Sequence, residues 1–106
     1  IKRTLEMTLL GDRYTAQQMS DMGLVNFVVP GAKLDAECDK LSARLASGPT
    51  HVYGMGKKLM YRSLENEFES QLQLEAECFA DCAKRGDYRE GVAAFVEKRK
   101  ANFTGN

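Results

Sequence analysis

Three cysteines, one histidine and fifteen carboxylates are the side chains of this 106-residue sequence best suited to chemistry. Cys78 and Cys82 stand one helical turn apart and share a face, a spacing that can seat a metal. A closed zinc site needs four Cys or His ligands, however, and His51 is the only histidine. No metal site is expected. With Cys38 the cysteine count is odd, which does not describe a disulfide framework, so the thiols read as small buried apolar groups. His51 lies beside Pro49 at a helix start and reads as an exposed or capping side chain. Glu65, Glu67, Glu69, Glu75 and Glu77 could do acid–base work if their environments separated their pKa values. Most fall on polar helix faces and read as solvated surface. Glu75 interrupts an apolar stripe, which an interfacial ion pair explains as well as chemistry does. There is no Ser nucleophile elbow, phosphate loop, zinc-protease helix or dinucleotide fingerprint.

The elements that position these side chains are helices. Ile1, Leu5 and Leu9 have helical spacing, and Gly11-Asp12 ends that helix. Thr15 reads as an N-cap with Gln18 completing a capping box, Tyr14 and Met19 as a hydrophobic staple, and Gly23 as a C-cap. Leu24 to Val29 is a short apolar run, a candidate extended segment, stopped by Pro30-Gly31. Leu34, Cys38, Leu41 and Leu45 draw the stripe of a third helix. Gly48-Pro49 restarts a fourth, with Pro49 in its first turn and Val52, Met55, Leu59 and Met60 on one side. Gly54 and Gly56 inside it weaken the helix, which predicts another backbone packed close by. Phe68, Leu72, Glu75, Phe79 and Cys82 stripe the fifth helix, which Leu74 and Cys78 widen and Gly86 ends. Asp87 and Glu90 have the spacing of a second capping box, opening a last helix whose final turn holds Lys98, Arg99 and Lys100. The expected class is all-α, five to six helices with at most one short extended segment.

Fifteen basic residues balance fifteen acidic ones, so no net field favours a polyanion. The segment TAQQMSDMGLVN has the outline of a helix-turn-helix, but the following VNFVVPG offers no basic or amide reading face beyond Asn26. Nucleic acid is therefore not an expected partner. No apolar run is long enough to span a bilayer, and no membrane association is expected. Nothing reads as a signal peptide, and a soluble cytoplasmic protein is the expectation. The five methionines read as soft packing. A chain that opens at Ile1 inside a helix reads as a fragment or a trimmed chain.

Two separated runs carry a family resemblance. LLGDRYTAQQMSDMGLVNFVVP resembles the enoyl-CoA hydratase/isomerase (crotonase) segment in which a helix, a Gly-Asp turn and a small capped helix lead into "GLV" and "VVP". REGVAAFVEKRKANF resembles that family's C-terminal helix, and the helix lengths and the break at SGP between them also match. Met19 and Met22 stand where the family commonly has alanines, so this small helix demands more room where it docks.

The resemblance implies that residues 1–106 are the C-terminal helical, oligomerising domain of a crotonase-like enzyme, with the N-terminal catalytic spiral absent. It implies trimers, often paired into hexamers, and an acyl-CoA thioester as substrate of the parent enzyme, with no other cofactor. The family's oxyanion-hole donors and glutamates precede the matched region, so no catalytic residue is assigned and the isolated chain is expected to be inactive. The resemblance also implies that Phe95 and Lys98 contribute to CoA binding, since the Phe and Lys at these places in "FVEKRK" reach the CoA of an adjacent subunit. The residues alone leave this open: Phe95 also suits the apolar side with Val92 and Val96, and Lys98 suits a helix end. The alternative from another class is a free-standing, non-catalytic helical oligomerisation module.

Overall fold

The computed structural model describes residues 1–106 as six α-helices and one 3-10 turn, with no strand. No helix is long and apolar enough to cross a membrane. The chain divides into two units, Ile1–Cys38 and Asp39–Asn106.

In the first unit, α1 (Lys2–Leu10) ends on Gly11, whose φ of 66° is the left-handed conformation that glycine enters without a Cβ clash. The Arg3 guanidinium donates to the Met22 carbonyl, linking α1 to the end of α2 (Ala16–Asp21). Thr15 and Gln18 form the expected capping box, with the Thr15 N–H donating to Gln18 Oε1 at 2.8 Å. Gly23, at φ 73°, closes α2 through a paired turn: its N–H donates to the Ser20 carbonyl and the Leu24 N–H to the Met19 carbonyl. Residues 24–29 form bends and irregular backbone rather than an extended strand, and Gly31–Lys33 makes the 3-10 turn that leads into α3 (Leu34–Ala46).

In the second unit, α4 (Thr50–Arg62), α5 (Phe68–Ala83) and α6 (Gly86–Val96) follow the end of α3. Pro49 is the N-cap of α4, one place before the expected first turn. His51 near the start of α4 meets Asp81 near the end of α5, and the Gln71 amide reaches the Leu59 carbonyl, so these helices run antiparallel. Phe79 of α5 meets Tyr88 of α6 edge-to-face, centroids 6.2 Å apart. Several sequence expectations change here. A Cβ added at Gly54 or Gly56 would meet nothing within 4 Å, so neither glycine serves a close backbone contact within the chain. Gly86 opens α6 rather than ending α5, which is capped at Lys84. Arg85, not Asp87, is the N-cap of α6 and its side chain makes no capping bond. The helix stops at Val96, so Lys98, Arg99 and Lys100 lie beyond it.

Cys78 and Ala94 are the buried apolar residues, and no large side chain is fully enclosed. Burying a Leu or Phe is worth about 1.5–3 kcal/mol. Leu5, Leu9, Leu41, Leu45, Phe68 and Phe79 are among the many that stay exposed. The apolar stripes read from the sequence are real, and the chain's own contacts leave much of them uncovered.

Candidate functional site

The densest polar architecture lies where the C-terminal tail folds back along α6. The helix ends by the same paired turn that closes α2. The Lys98 N–H donates to the Phe95 carbonyl at 3.3 Å and the Arg99 N–H to the Ala94 carbonyl at 3.0 Å. The position that Gly23 holds in α2 is held here by Lys98, at φ 55°. It is the one non-glycine residue of the chain with positive φ. An L-residue in this region brings its Cβ close to the backbone and costs about 1–2 kcal/mol.

Two carboxylates of α6 hold the tail beyond this turn. Glu90 receives a two-pronged contact from Arg99, Nη1 to Oε1 at 2.6 Å and Nη2 to Oε2 at 2.9 Å. The Asn102 N–H adds a bond to Oε1 at 2.7 Å. Arg99 Nε donates to Glu97 at 2.6 Å. The Arg99 guanidinium and then the Asn102 amide hold the Glu90 carboxyl down at about 2, and Glu90 followed by Glu97 pushes the Arg99 guanidinium up. Asp87, only 4% exposed, accepts the N–H groups of Thr104 at 2.8 Å and Gly105 at 2.9 Å. Its own N–H donates to the Asn106 carbonyl at 2.8 Å. Between these anchors the Phe103 ring packs against α6 at Gly91, 3.5 Å from where a Cβ there would stand, an ordinary contact distance.

A groove of about 370 Å³ runs beside this tail. Its walls include Pro49, Val52, Tyr88, Val92, Phe95 and Phe103. Phe95 is 85% exposed and Lys98 is exposed. The two do not share a helical face in the manner their spacing predicts, because the helix has ended between them. They are joined instead by the hydrogen bond of the turn. Such a place offers an aromatic face and an ammonium to a ligand that is planar at one end and anionic nearby.

The other candidate residues pair within the chain, are buried, or face solvent. His51 Nε2 lies 2.6 Å from Asp81 Oδ2 and its side chain is half-buried, so it is neither exposed nor a cap. Arg85 adds a contact to the same carboxylate at 3.5 Å. The His51 bond holds the Asp81 carboxyl below its usual range; desolvation opposes it and Arg85 assists. The dyad ties α4 to α5. Glu65, Glu67, Glu69, Glu75 and Glu77 are all exposed. Glu75 and Glu77 accept from Gln71 and Gln73, and Glu65 lies 3.6 Å from Arg62. Cys38 is exposed, Cys82 half-buried and Cys78 buried; all three are free thiols. No group of three or more His, Cys, Asp and Glu side chains is placed to hold a metal.

Comparison with known proteins bears on the whole chain. The profile of the enoyl-CoA hydratase/isomerase family matches residues 1–106. The chain is 34% identical over 103 residues to the 1,2-epoxyphenylacetyl-CoA isomerase of Escherichia coli, covering 97% of this chain and 39% of that protein. It is 35% identical over 99 residues to the mitochondrial enoyl-CoA hydratase of Pongo abelii, covering 93% of this chain and 34% of that one. Among solved structures it superposes on enoyl-CoA hydratase subunit I of Geobacillus kaustophilus with a TM-score of 0.91 and 33% identity, over all of this chain and 41% of that one. The chain thus spans about 40% of the length of such relatives. With the profile matched from end to end, this chain belongs to the enoyl-CoA hydratase/isomerase family.

Proposed function

We propose that this chain is the C-terminal part of an enzyme acting on acyl-CoA thioesters, where it supplies subunit contacts and part of the CoA site. Phe95 offers its ring to the adenine and Lys98 its ammonium to a phosphate of the same CoA. The observation that carries the reading is the conformation of Lys98. A residue held at φ 55°, where the matching turn of α2 uses glycine, has a reason to be lysine that the turn itself does not provide. Relatives named for a hydratase and for an epoxide isomerase share this segment at similar identity. That suits a part which holds the common CoA portion while the reaction is chosen elsewhere.

The exposed stripes of α3 and α5 support the second role, since uncovered apolar area of this extent marks association surfaces. A homotrimer or hexamer, a cytoplasmic setting and a place in fatty acid metabolism belong to the same proposal and rest on the family likeness. The test uses a full-length enzyme carrying this chain. Lys98→Ala should raise KM for the acyl-CoA by roughly two- to fivefold, the worth of an exposed charged contact. The effect on kcat should be much smaller, because the contact is made equally in ground and transition states. An unchanged KM refutes the assignment of Lys98.

A further inference from the structure

We infer that Glu90 is a positioning residue for the proposed CoA contact, acting through Arg99 on the turn that carries Lys98; the inference rests on the CoA reading above. The turn is only partly held by its own backbone. Its central residue is an L-amino acid in the left-handed region, and of its two backbone bonds the Arg99 N–H to Ala94 carbonyl is normal at 3.0 Å while the Lys98 N–H to Phe95 carbonyl is long at 3.3 Å. The groups that fix it lie on either side. Glu97 before it and Arg99 after it are joined at 2.6 Å, and Arg99 is anchored by both prongs to Glu90 of α6, nine residues back. Glu90 also holds Asn102, so the chain is pinned beyond the turn as well. Lys98 therefore leaves the backbone in one direction, fixed relative to α6 and to Phe95.

The same pairing settles the charge. Two carboxylates lie within reach of this turn, and either would be a natural partner for an ammonium or a repellent for an incoming phosphate. Arg99 occupies both, and Lys98 makes no ion pair of its own. A guanidinium suits this task because its planar fork grips Glu90 with two N–H groups while Nε–H serves Glu97, a fixed geometry that an ammonium cannot reproduce. Removing the Glu90 charge frees Arg99 to swing, loosens the turn and lets Glu97 compete for Lys98.

The experiment compares Glu90→Gln, Lys98→Ala and the double variant in a full-length enzyme carrying this chain, reading KM and kcat for an acyl-CoA ester. Glu90→Gln should raise KM by roughly two- to fivefold, no more than Lys98→Ala does, with kcat within about twofold. The double variant should be no worse than Lys98→Ala alone, because both act through one group. Arg99→Lys keeps the charge without the fork and should reproduce the effect, which serves if Glu90→Gln fails to fold. If these variants lower the melting temperature but leave KM unchanged while Lys98→Ala raises it, Glu90 is only structural and the CoA reading stands. Effects on KM that multiply in the double variant overturn the inference too. An unchanged KM in Lys98→Ala overturns the CoA reading and this inference with it.

Discussion

Asp87 and Thr104, seventeen residues apart, are joined by a 2.8 Å hydrogen bond from the Thr104 backbone N–H to Asp87 Oδ1. With the Gly105 N–H on Oδ2, a buried carboxylate in the first turn of α6 satisfies two consecutive amides of the tail. Replacing it with Ala leaves both donors without their acceptor. A hydrogen bond to a charged group is worth about 1.5–3 kcal/mol, of which water can recover part at the exposed Thr104 and half-buried Gly105. Asp87→Ala should therefore lower the melting temperature of a full-length enzyme measurably. Asp87→Asn, which keeps one carbonyl oxygen, should fall between the two. Thermal denaturation decides it, and equal melting of all three proteins would show that the tail is held by other means.

The fate of Asp87 and Glu90 also shows where a sequence stops being legible. Thr15 and Gln18 form a capping box as their spacing predicts, because both partners lie within one turn and compete with nothing distant. Asp87 and Glu90 have the same spacing, which predicts the same box. Their carboxylates instead bind groups 9 to 18 residues further on. Local spacing carries no information about a tail that folds back. The His51–Asp81 contact, 30 residues apart, is hidden from the sequence for the same reason. The end of α6 escapes notice because its left-handed position holds Lys98, whereas Gly11 and Gly23 announce theirs. Periodicity marks the apolar faces of Leu41, Leu45, Phe68 and Phe79 correctly; it does not say what covers them.

Acid should loosen the tail before neutral pH affects it. The folded carboxyl of Glu90 lies at about 2, below its ordinary 4.5, because Arg99 and Asn102 bind the charged form. A group depressed on folding contributes stability that is present above its unfolded pKa and lost as pH falls through the folded one. The window is therefore about 4.5 down to 2. Asp81, also depressed below its ordinary 3.8, adds to the same acid arm. Amide exchange at Asn102 in a full-length enzyme should accelerate as pH falls through this window, relative to an unstructured reference peptide. Glu90→Gln should flatten that dependence. An identical acid profile in the variant would remove Glu90 as its cause.

The isolated chain should self-associate. Phe68 is 70% exposed, Phe79 64% and Leu72 about half, all on α5. Patches of this kind rarely stay bare in water. Light scattering after size exclusion should give a mass above that of a monomer, and Phe68→Ser with Phe79→Ser should shift it downward. A monomer across a wide concentration range would contradict this. The same preparation should show no turnover of a 2-enoyl-CoA above a buffer blank, because the resemblance puts the oxyanion donors and glutamates outside this chain. Losing even one such donor costs about a hundredfold or more in rate.

Replacing Lys98 with Gly should move stability and ligand affinity in opposite directions. Glycine enters the left-handed region without a Cβ clash, so the folded turn gains what lysine gives up there, about 1–2 kcal/mol. Glycine also loosens the unfolded chain, which offsets about 0.4–1 kcal/mol of that gain. A net rise in melting temperature should survive, of the order of a few degrees. Lys98→Ala keeps the strained backbone and should show no such rise. Both variants lack the ammonium, so both should raise KM for an acyl-CoA by a similar factor. The pair thus separates the turn from the charge. A Gly variant that is more stable and binds CoA as well as the parent would make lysine irrelevant to the ligand. A Gly variant that is less stable would show that the Lys98 side chain, rather than its backbone, contributes to holding the turn. The combination of higher melting temperature and weaker CoA binding is the outcome in which the protein gives up stability at Lys98 to keep a cation beside Phe95.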